Sequence, residues 1–271
     1  MVLKITDFVT IRANWKNKVE NINSILEELN LSARNTIFVD DSKYERTFVK
    51  NKLKNINVFE FPTNTLDLVH KFKNYKKILL DKITETDRNR NDLYVREKKR
   101  KEFKVNNSYD WLNQLKIKIK FEETIDFIRV AEMFNRTNQF NNCLNRYDSS
   151  ELKKILSKGK YYQVSYEDIY GYDGTIGFIS LKNIGKNIII ENFLLSCRYF
   201  ERQIEDIVLK FIYLKYKKMN YKSFSIKFRK TNKNIYFFNK MSEKNYLKLD
   251  VNIFKINENL KTFKPNYEYS I

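Results

Sequence analysis

All five glycines of this chain lie between Gly159 and Gly185, and its two prolines are Pro62 and Pro265. Turns elsewhere must be made by Asn, Asp and Ser, so the tightest backbone reversals are confined to one stretch. Two strand-like runs flank the clearest of them, over 174–182 and 187–195, with Asn183 to Lys186 turning between them and Ile188-Ile189-Ile190 returning. This pattern is a β-hairpin, and it commits the C-terminal half of the chain to a sheet.

Hydrophobic periodicity extends that sheet in both directions. It predicts strand 115–121, helix 123–134, a polar loop, helix 149–157 and strand 161–166 before the hairpin, then helix 203–218, strand 222–228, helix 231–241 and terminal strands from about 245. Helix 203–218 carries Ile204, Ile207, Val208, Phe211, Ile212 and Leu214, a broad apolar stripe suited to packing on a sheet. The N-terminal segment alternates instead: helix 17–29, strand 36–40, helix 42–52, strand 56–61, helix 65–73, which implies parallel strands. Between the halves, residues 76–107 are highly charged and read as an exposed helical connector. The expected organisation is α/β throughout, with a first domain over 1–75, the connector over 76–107, a mixed α/β domain over 108–250 and a C-terminal strand or tail over 251–271.

Composition excludes several classes. With 42% hydrophobic and 15% aromatic residues in 271, the chain has ample material for real cores. No apolar run approaches the ~20 residues needed to cross a bilayer, and the N-terminus has no charged-then-apolar signal pattern, so a cytoplasmic protein without membrane insertion is expected. Two cysteines, Cys143 and Cys197, and one histidine, His70, rule out a zinc site of ordinary spacing and argue against a disulfide framework. The formal charge of +19 invites nucleic acid, but the excess is interleaved with acids and coincides with abundant Asn, Ile and Tyr, so no specific nucleic-acid recognition is expected. The densest basic run, Arg96 to Lys101, reads as a solvated helix face.

Two places carry chemistry. Asp40 and Asp41 end the strand-like run Thr36 to Val39 and precede a helix, the position at which many α/β enzymes hold Mg²⁺ beside a phosphoryl group. Lys18, near the start of the preceding helix, is placed to neutralise phosphate charge; the plainer alternative is that the acids cap the next helix. No D-x-D-x-T motif, which would supply an aspartate nucleophile, occurs in the sequence. In the C-terminal half the order of elements resembles the GCN5-related N-acetyltransferase (GNAT) fold. By that resemblance coenzyme A pyrophosphate would meet an R/Q-x-x-G-x-G/A loop ahead of a helix. The corresponding stretch is Arg198-Tyr199-Phe200-Glu201-Arg202-Gln203, which keeps the arginine but has Glu201 and Gln203 at the glycine positions, so ordinary acetyl-CoA binding is expected to suffer.

Further strings occur in order: N-W-K-N-K from Asn14, F-V-D-D-S-K-Y-E-R from Phe38, I-T-E-T-D-R-N-R-N-D-L-Y from Ile83, N-R-T-N-Q-F-N from Asn135 with Arg146-Tyr147, F-L-L-S-C-R from Phe193 and T-N-K-N from Thr231. Together they resemble the FkbH-like family, in which a haloacid-dehalogenase-like phosphatase domain of subfamily IIIC precedes a GNAT-like acyltransferase domain. The resemblance covers roughly residues 1 to 245. It implies a partial Rossmann-like first domain, Lys18 in the phosphate-charge role, Asp40 and Asp41 in the Mg²⁺ role, and transfer of a glyceryl or other acyl unit to an acyl carrier protein. Because the family's nucleophile strand lies upstream of the N-W-x-x-K segment, the chain is expected to start mid-domain, to lack phosphatase activity alone, and to be unstable there or paired with a separately encoded N-terminal fragment.

In the second domain Thr137, Asn138, Gln139 and Asn141 follow the first helix, where amides would contact a pantetheine arm of coenzyme A or phosphopantetheine, or would simply tie a polar turn. Arg198 would pair with phosphate or with Glu201, and Lys233 and Asn234 start a helix beside the same cleft, where capping is the simpler role. Cys197 is the weak catalytic candidate, with a buried structural thiol as its alternative, and Cys143 fits no chemical pattern. Two other functions stay open: a coenzyme-A-dependent GNAT-type acyltransferase, and a noncatalytic interaction module or gene fragment.

Overall fold

The structure, a computed structural model, describes residues 3–29, 31–76, 88–106, 110–157 and 159–265. Residues 77–87 of the expected connector, the start of the string from Ile83 and the end of the expected tail lie outside the described residues. The chain divides into two compact units, Met1–Val95 and Arg96–Ile271.

In the first unit α1 (Lys18–Glu28) starts where the Asn17 side chain accepts from the Glu20 N–H, and α2 (Lys43–Lys52) starts where Ser42 accepts from the Glu45 N–H. Each cap satisfies an N–H that the helix itself cannot bond. Strands β1 (Ile37–Phe38) and β2 (Asn57–Val58) pair in parallel, Ile37 against Asn57 and Phe38 against Val58, and α3 (Leu68–Lys73) follows. Both strands are shorter than their apolar runs. Between residues 3 and 76 the buried hydrophobics are Val49, Ile56 and Phe59, while Trp15, Leu66 and Val69 are exposed.

The second unit holds most of the core. Its helices and strands run α4 (Arg90–Asn106, within which the division falls), α5 (Trp111–Gln114), β3 (Lys118–Glu122), α6 (Phe127–Arg136), α7 (Ser149–Leu156), β4 (Lys160–Asp168), β5 (Gly171–Ile184), β6 (Asn187–Leu195), α8 (Ile204–Lys218), β7 (Ser223–Lys227), α9 (Ile235–Ser242), β8 (Leu247–Asp250) and β9 (Ile253–Ile256). The strands form one sheet in the order β3-β4-β5-β6-β7-β9-β8. Every neighbouring pair is antiparallel except β6 and β7, which are joined through α8, the crossover a parallel pair requires.

Strand alternation sorts the side chains between two faces. Phe178 and Leu194 pack with Val130, Met133 and Phe134 of α6 and Leu152 and Leu156 of α7. Their neighbours Ile179, Phe193 and Leu195 belong to the other, larger cluster, with Ile204, Ile207, Val208 and Ile212 of α8. Those four α8 side chains are at most 1% exposed, and burying each stabilises the unit by roughly 2 kcal/mol. Gly177 sits at a close approach: a Cβ there would come 3.1 Å from the Leu194 carbonyl oxygen, so that a larger residue would have to shift β6 by a few tenths of an ångström.

Strand β9 lies between β7 and β8 with Phe254 fully buried, so the strand expected within 251–271 joins the sheet and core, its Ile253, Phe254 and Ile256 completing the apolar surface left by β7. One expectation changes. The run Arg96 to Lys101 is not a solvated face throughout: Arg100 is 1% exposed and bonds Asp168, with the guanidinium also 2.6 Å from Asp173.

Candidate functional site

Strands β6 and β7 stay paired only from Asn187 opposite Ser223 to Ile190 opposite Ile226. At Glu191 β6 bulges: across β5, Leu181 faces Ile190 but Ser180 faces Asn192. A bulge bends its strand, and beyond this one β6 and β7 part. Asn192 secures the bend, donating to Ser180 Oγ at 2.8 Å and accepting from Asn145 Nδ2 at 2.9 Å. Three loops meet at the opening: the segment after α6, the turn before α8, and the exit from β7.

The segment after α6 fills the parting. The Leu195 N–H donates to the Phe140 carbonyl at 3.1 Å and the Asn142 N–H to the Phe193 carbonyl at 3.3 Å, while the Arg229 N–H donates to the Asn142 carbonyl at 2.9 Å. The Asn142 side chain accepts from the Phe193 N–H at 2.7 Å and donates to the carbonyls of Glu191 and Lys227 at 2.9 and 2.7 Å. Phe140, 1% exposed, stands edge-on to Phe193 and Phe237 at 5.1 and 5.0 Å between ring centres.

Of the cleft residues expected from sequence, Thr137, Asn138, Gln139, Asn141 and Asn234 are tied into this segment by hydrogen bonds. Thr137 offers its carbonyl to Asn141 Nδ2 and Arg146, Asn138 Oδ1 accepts from Arg146, and the Gln139 carbonyl accepts from the Phe237 N–H. Asn141 Oδ1 accepts from the Leu144 N–H at 2.7 Å. Asn234, 1% exposed, donates to the carbonyls of Asn141, Asn142 and Arg229, and its Oδ1 accepts from the Thr231 N–H. It is a buried clamp on the segment as well as part of a turn. Asn142, which sequence reasoning passed over, makes the bonds that span the gap; an Asn-Asn pair in a polar loop carries no signal for that role.

The turn before α8 keeps the shape that glycines would permit. Glu201 and Gln203 have φ of 67° and 53°, the left-handed region, at a cost of about 1 kcal/mol each. The surroundings impose it. Arg202 donates to Glu97 at 2.8 Å and lies against the rings of Tyr166 and Tyr199, Tyr199 OH donates to Asp173 and Tyr166 OH to Asp168, each at 2.8 Å, and Arg100 joins both aspartates. Burial works against the Arg100 charge, but Asp168 and Asp173 outweigh it and hold the guanidinium pKa above its ordinary value. The first turn of α8 already carries two acids: Glu205 and Asp206 are buried, with Lys244 Nζ 3.3 and 2.6 Å from them and Tyr246 OH donating to Asp206. Burial pushes the Cys197 thiol up, with the charge of Arg198 only partly opposing it, which favours its alternative role as a buried structural thiol.

At the exit from β7, Lys227, Arg229, Lys230 and Lys233 are all exposed, four cations in seven residues beside the filled parting. Lys230 rests its ammonium on the Phe238 ring at 3.7 Å.

In the first unit Lys18 Nζ stands 3.6 Å from Asp40 Oδ2, which puts these two candidate residues side by side. Asp40 Oδ1 accepts from the Ser42 N–H at 2.9 Å, and the Arg46 guanidinium donates to the carbonyls of Asp40 and Asp41 at 2.9 and 2.7 Å. Asp40 has a protein partner on each oxygen, and among the described residues no three His, Cys, Asp or Glu side chains gather as ligands, so the expected Mg²⁺ role finds no support in this arrangement. Asp40 serves the helix-capping turn.

Coenzyme A meets a similar obstacle in the second unit. The turn before α8 holds two left-handed residues, but the polar groups of β6 that face the parting are taken by the chain's own segment, and so as folded the opening does not fit a pantetheine arm.

No protein-family model matches the chain. No curated protein matches it. Among solved structures it is similar to the ribosomal-protein-S18-alanine N-acetyltransferase from Escherichia coli, with 12% identity, TM-score 0.37, 52% of this chain and 94% of that chain covered. It is also similar to the PaiA N-acetyltransferase from Thermoplasma acidophilum in complex with coenzyme A, with 15% identity, TM-score 0.35 and coverage of 51% and 96%. A third is an acetyltransferase of GNAT family from Staphylococcus aureus, with 12% identity, TM-score 0.37 and coverage of 51% and 98%. Likenesses this remote assign neither activity nor substrate, and none of the three concerns a haloacid-dehalogenase-like protein.

Proposed function

We propose that the second unit is a GNAT-like domain of an acyl-transfer system that docks an acidic acyl carrier protein, rather than an enzyme for free coenzyme A. The observation that carries this reading is the exposed cationic ribbon Lys227, Arg229, Lys230 and Lys233, set against the place where β6 and β7 part. Opposite charge across a surface steers encounter and fixes orientation. The same reading keeps the FkbH-like kinship of the whole chain as a proposal, supported in the first unit by the Lys18–Asp40 pair and the parallel β1–β2 ladder.

The test is binding of the full chain to a holo acyl carrier protein by calorimetry, compared with the variant Arg229→Glu/Lys233→Glu. The reading expects micromolar binding that the variant weakens roughly tenfold at low salt, with the difference shrinking as salt rises. Equal binding by both proteins would remove it.

A second reading, acyl transfer from free coenzyme A, is favoured by one observation: Glu201 and Gln203 hold the left-handed backbone of a phosphate-binding turn. Saturable binding of acetyl-CoA with turnover of an amine or thiol acceptor would establish it.

A further inference from the structure

We infer that Phe140 to Asn142 is an intramolecular occupant of the parting between β6 and β7, an autoinhibitory contact that closes this unit to free coenzyme A. The parting is full on both sides. On β6, the Glu191 carbonyl, the Phe193 N–H and carbonyl and the Leu195 N–H are all bonded to the segment. On the other side, the Lys227 carbonyl takes Asn142 Nδ2, the Arg229 N–H takes the Asn142 carbonyl, and the Arg229 carbonyl takes Asn234 Nδ2.

The apolar lane between them is filled by the Phe140 ring against Phe193, Phe237 and Phe200. An extended arm that used the strand-edge groups would have to replace each of these bonds and evict the ring. Buried backbone groups left without partners are costly, so partial entry is worse than none. Free coenzyme A brings no second surface with which to offset that loss, whereas a docked protein does. The inference concerns the closed state of the parting and stands whether or not the docking partner is an acyl carrier protein.

The test follows backbone amides by NMR in the labelled full chain, titrated with coenzyme A and with acetyl-CoA. The closed parting predicts that the Phe193, Leu195 and Arg229 amides exchange slowly and do not shift at ligand concentrations up to about 1 mM. In Asn142→Ala, which removes the acceptor of the Phe193 N–H, exchange at Phe193 should rise roughly tenfold or more. In the same variant the amide of Ile212, in α8 and away from the parting, should keep its protection, which separates loss of the bond from loss of the fold. Saturable shifts of the Phe193, Leu195 and Arg229 amides with free coenzyme A in the parent chain would overturn the inference, as would unprotected amides at these positions without ligand.

Discussion

The Asn142 side-chain amide bridges the carbonyls of Glu191 and Lys227, tying together β6 and β7 one residue beyond their last paired positions, Ile190 and Ile226. One residue therefore does across the gap what strand pairing does below it.

Replacing Asn142 by Ala leaves the Glu191 and Lys227 carbonyls and the Phe193 N–H without these partners. The expected loss is about 3 kcal/mol of unfolding free energy, read from a lower urea midpoint at unchanged slope. A loss under about 0.5 kcal/mol would mean that the bridge is not structurally important.

Arg100 sits between Asp168 and Asp173 with 1% exposure, within a set of aromatic rings and charges that holds the turn before α8. Arg100→Ala removes one partner from a buried ionic group and is expected to destabilise the chain by roughly 3–5 kcal/mol. The triple change Arg100→Met/Asp168→Asn/Asp173→Asn, which removes the stranded charges too, should cost less than Arg100→Ala in the same denaturation assay.

Glu205 gives a pH signature. Burial first, then the like charge of Asp206, raise its carboxyl pKa, with Lys244 opposing. A raised pKa in the folded chain means that the proton is held more tightly folded than unfolded, so the stabilising contribution is complete below the ordinary glutamate value near 4.3 and fades as pH rises through the folded value. Glu205→Gln mimics the protonated form. Its midpoint should match the parent near pH 4 and exceed it progressively toward about pH 8; a gap independent of pH would contradict this assignment.

Much of the second unit was legible because local pattern and tertiary environment agree there. The stripe of α8 faces the sheet as its spacing requires, and the β5–β6 hairpin turns where Asn183 to Lys186 said it would. Arg100 was not legible, since a buried arginine and a solvated one look alike inside R-E-K-K-R-K until Asp168 and Asp173 arrive from β4 and β5. Nor was the turn before α8: side chains at its two glycine positions spoke only against close approach of an anion, whereas its backbone shape follows from the packing of Arg202, Tyr166 and Tyr199, with Glu201 and Gln203 left-handed. The amides of the segment after α6 stand beside the parting, but their bonding there depends on how far two strands part, which no residue spacing encodes.

The most direct measurement is a competition: calorimetric titration of the full chain with a holo acyl carrier protein, with and without about 1 mM free coenzyme A. The account predicts that the carrier binds and that its affinity is the same in both titrations. Loss of carrier binding in the presence of coenzyme A, or no binding in either titration, would contradict it.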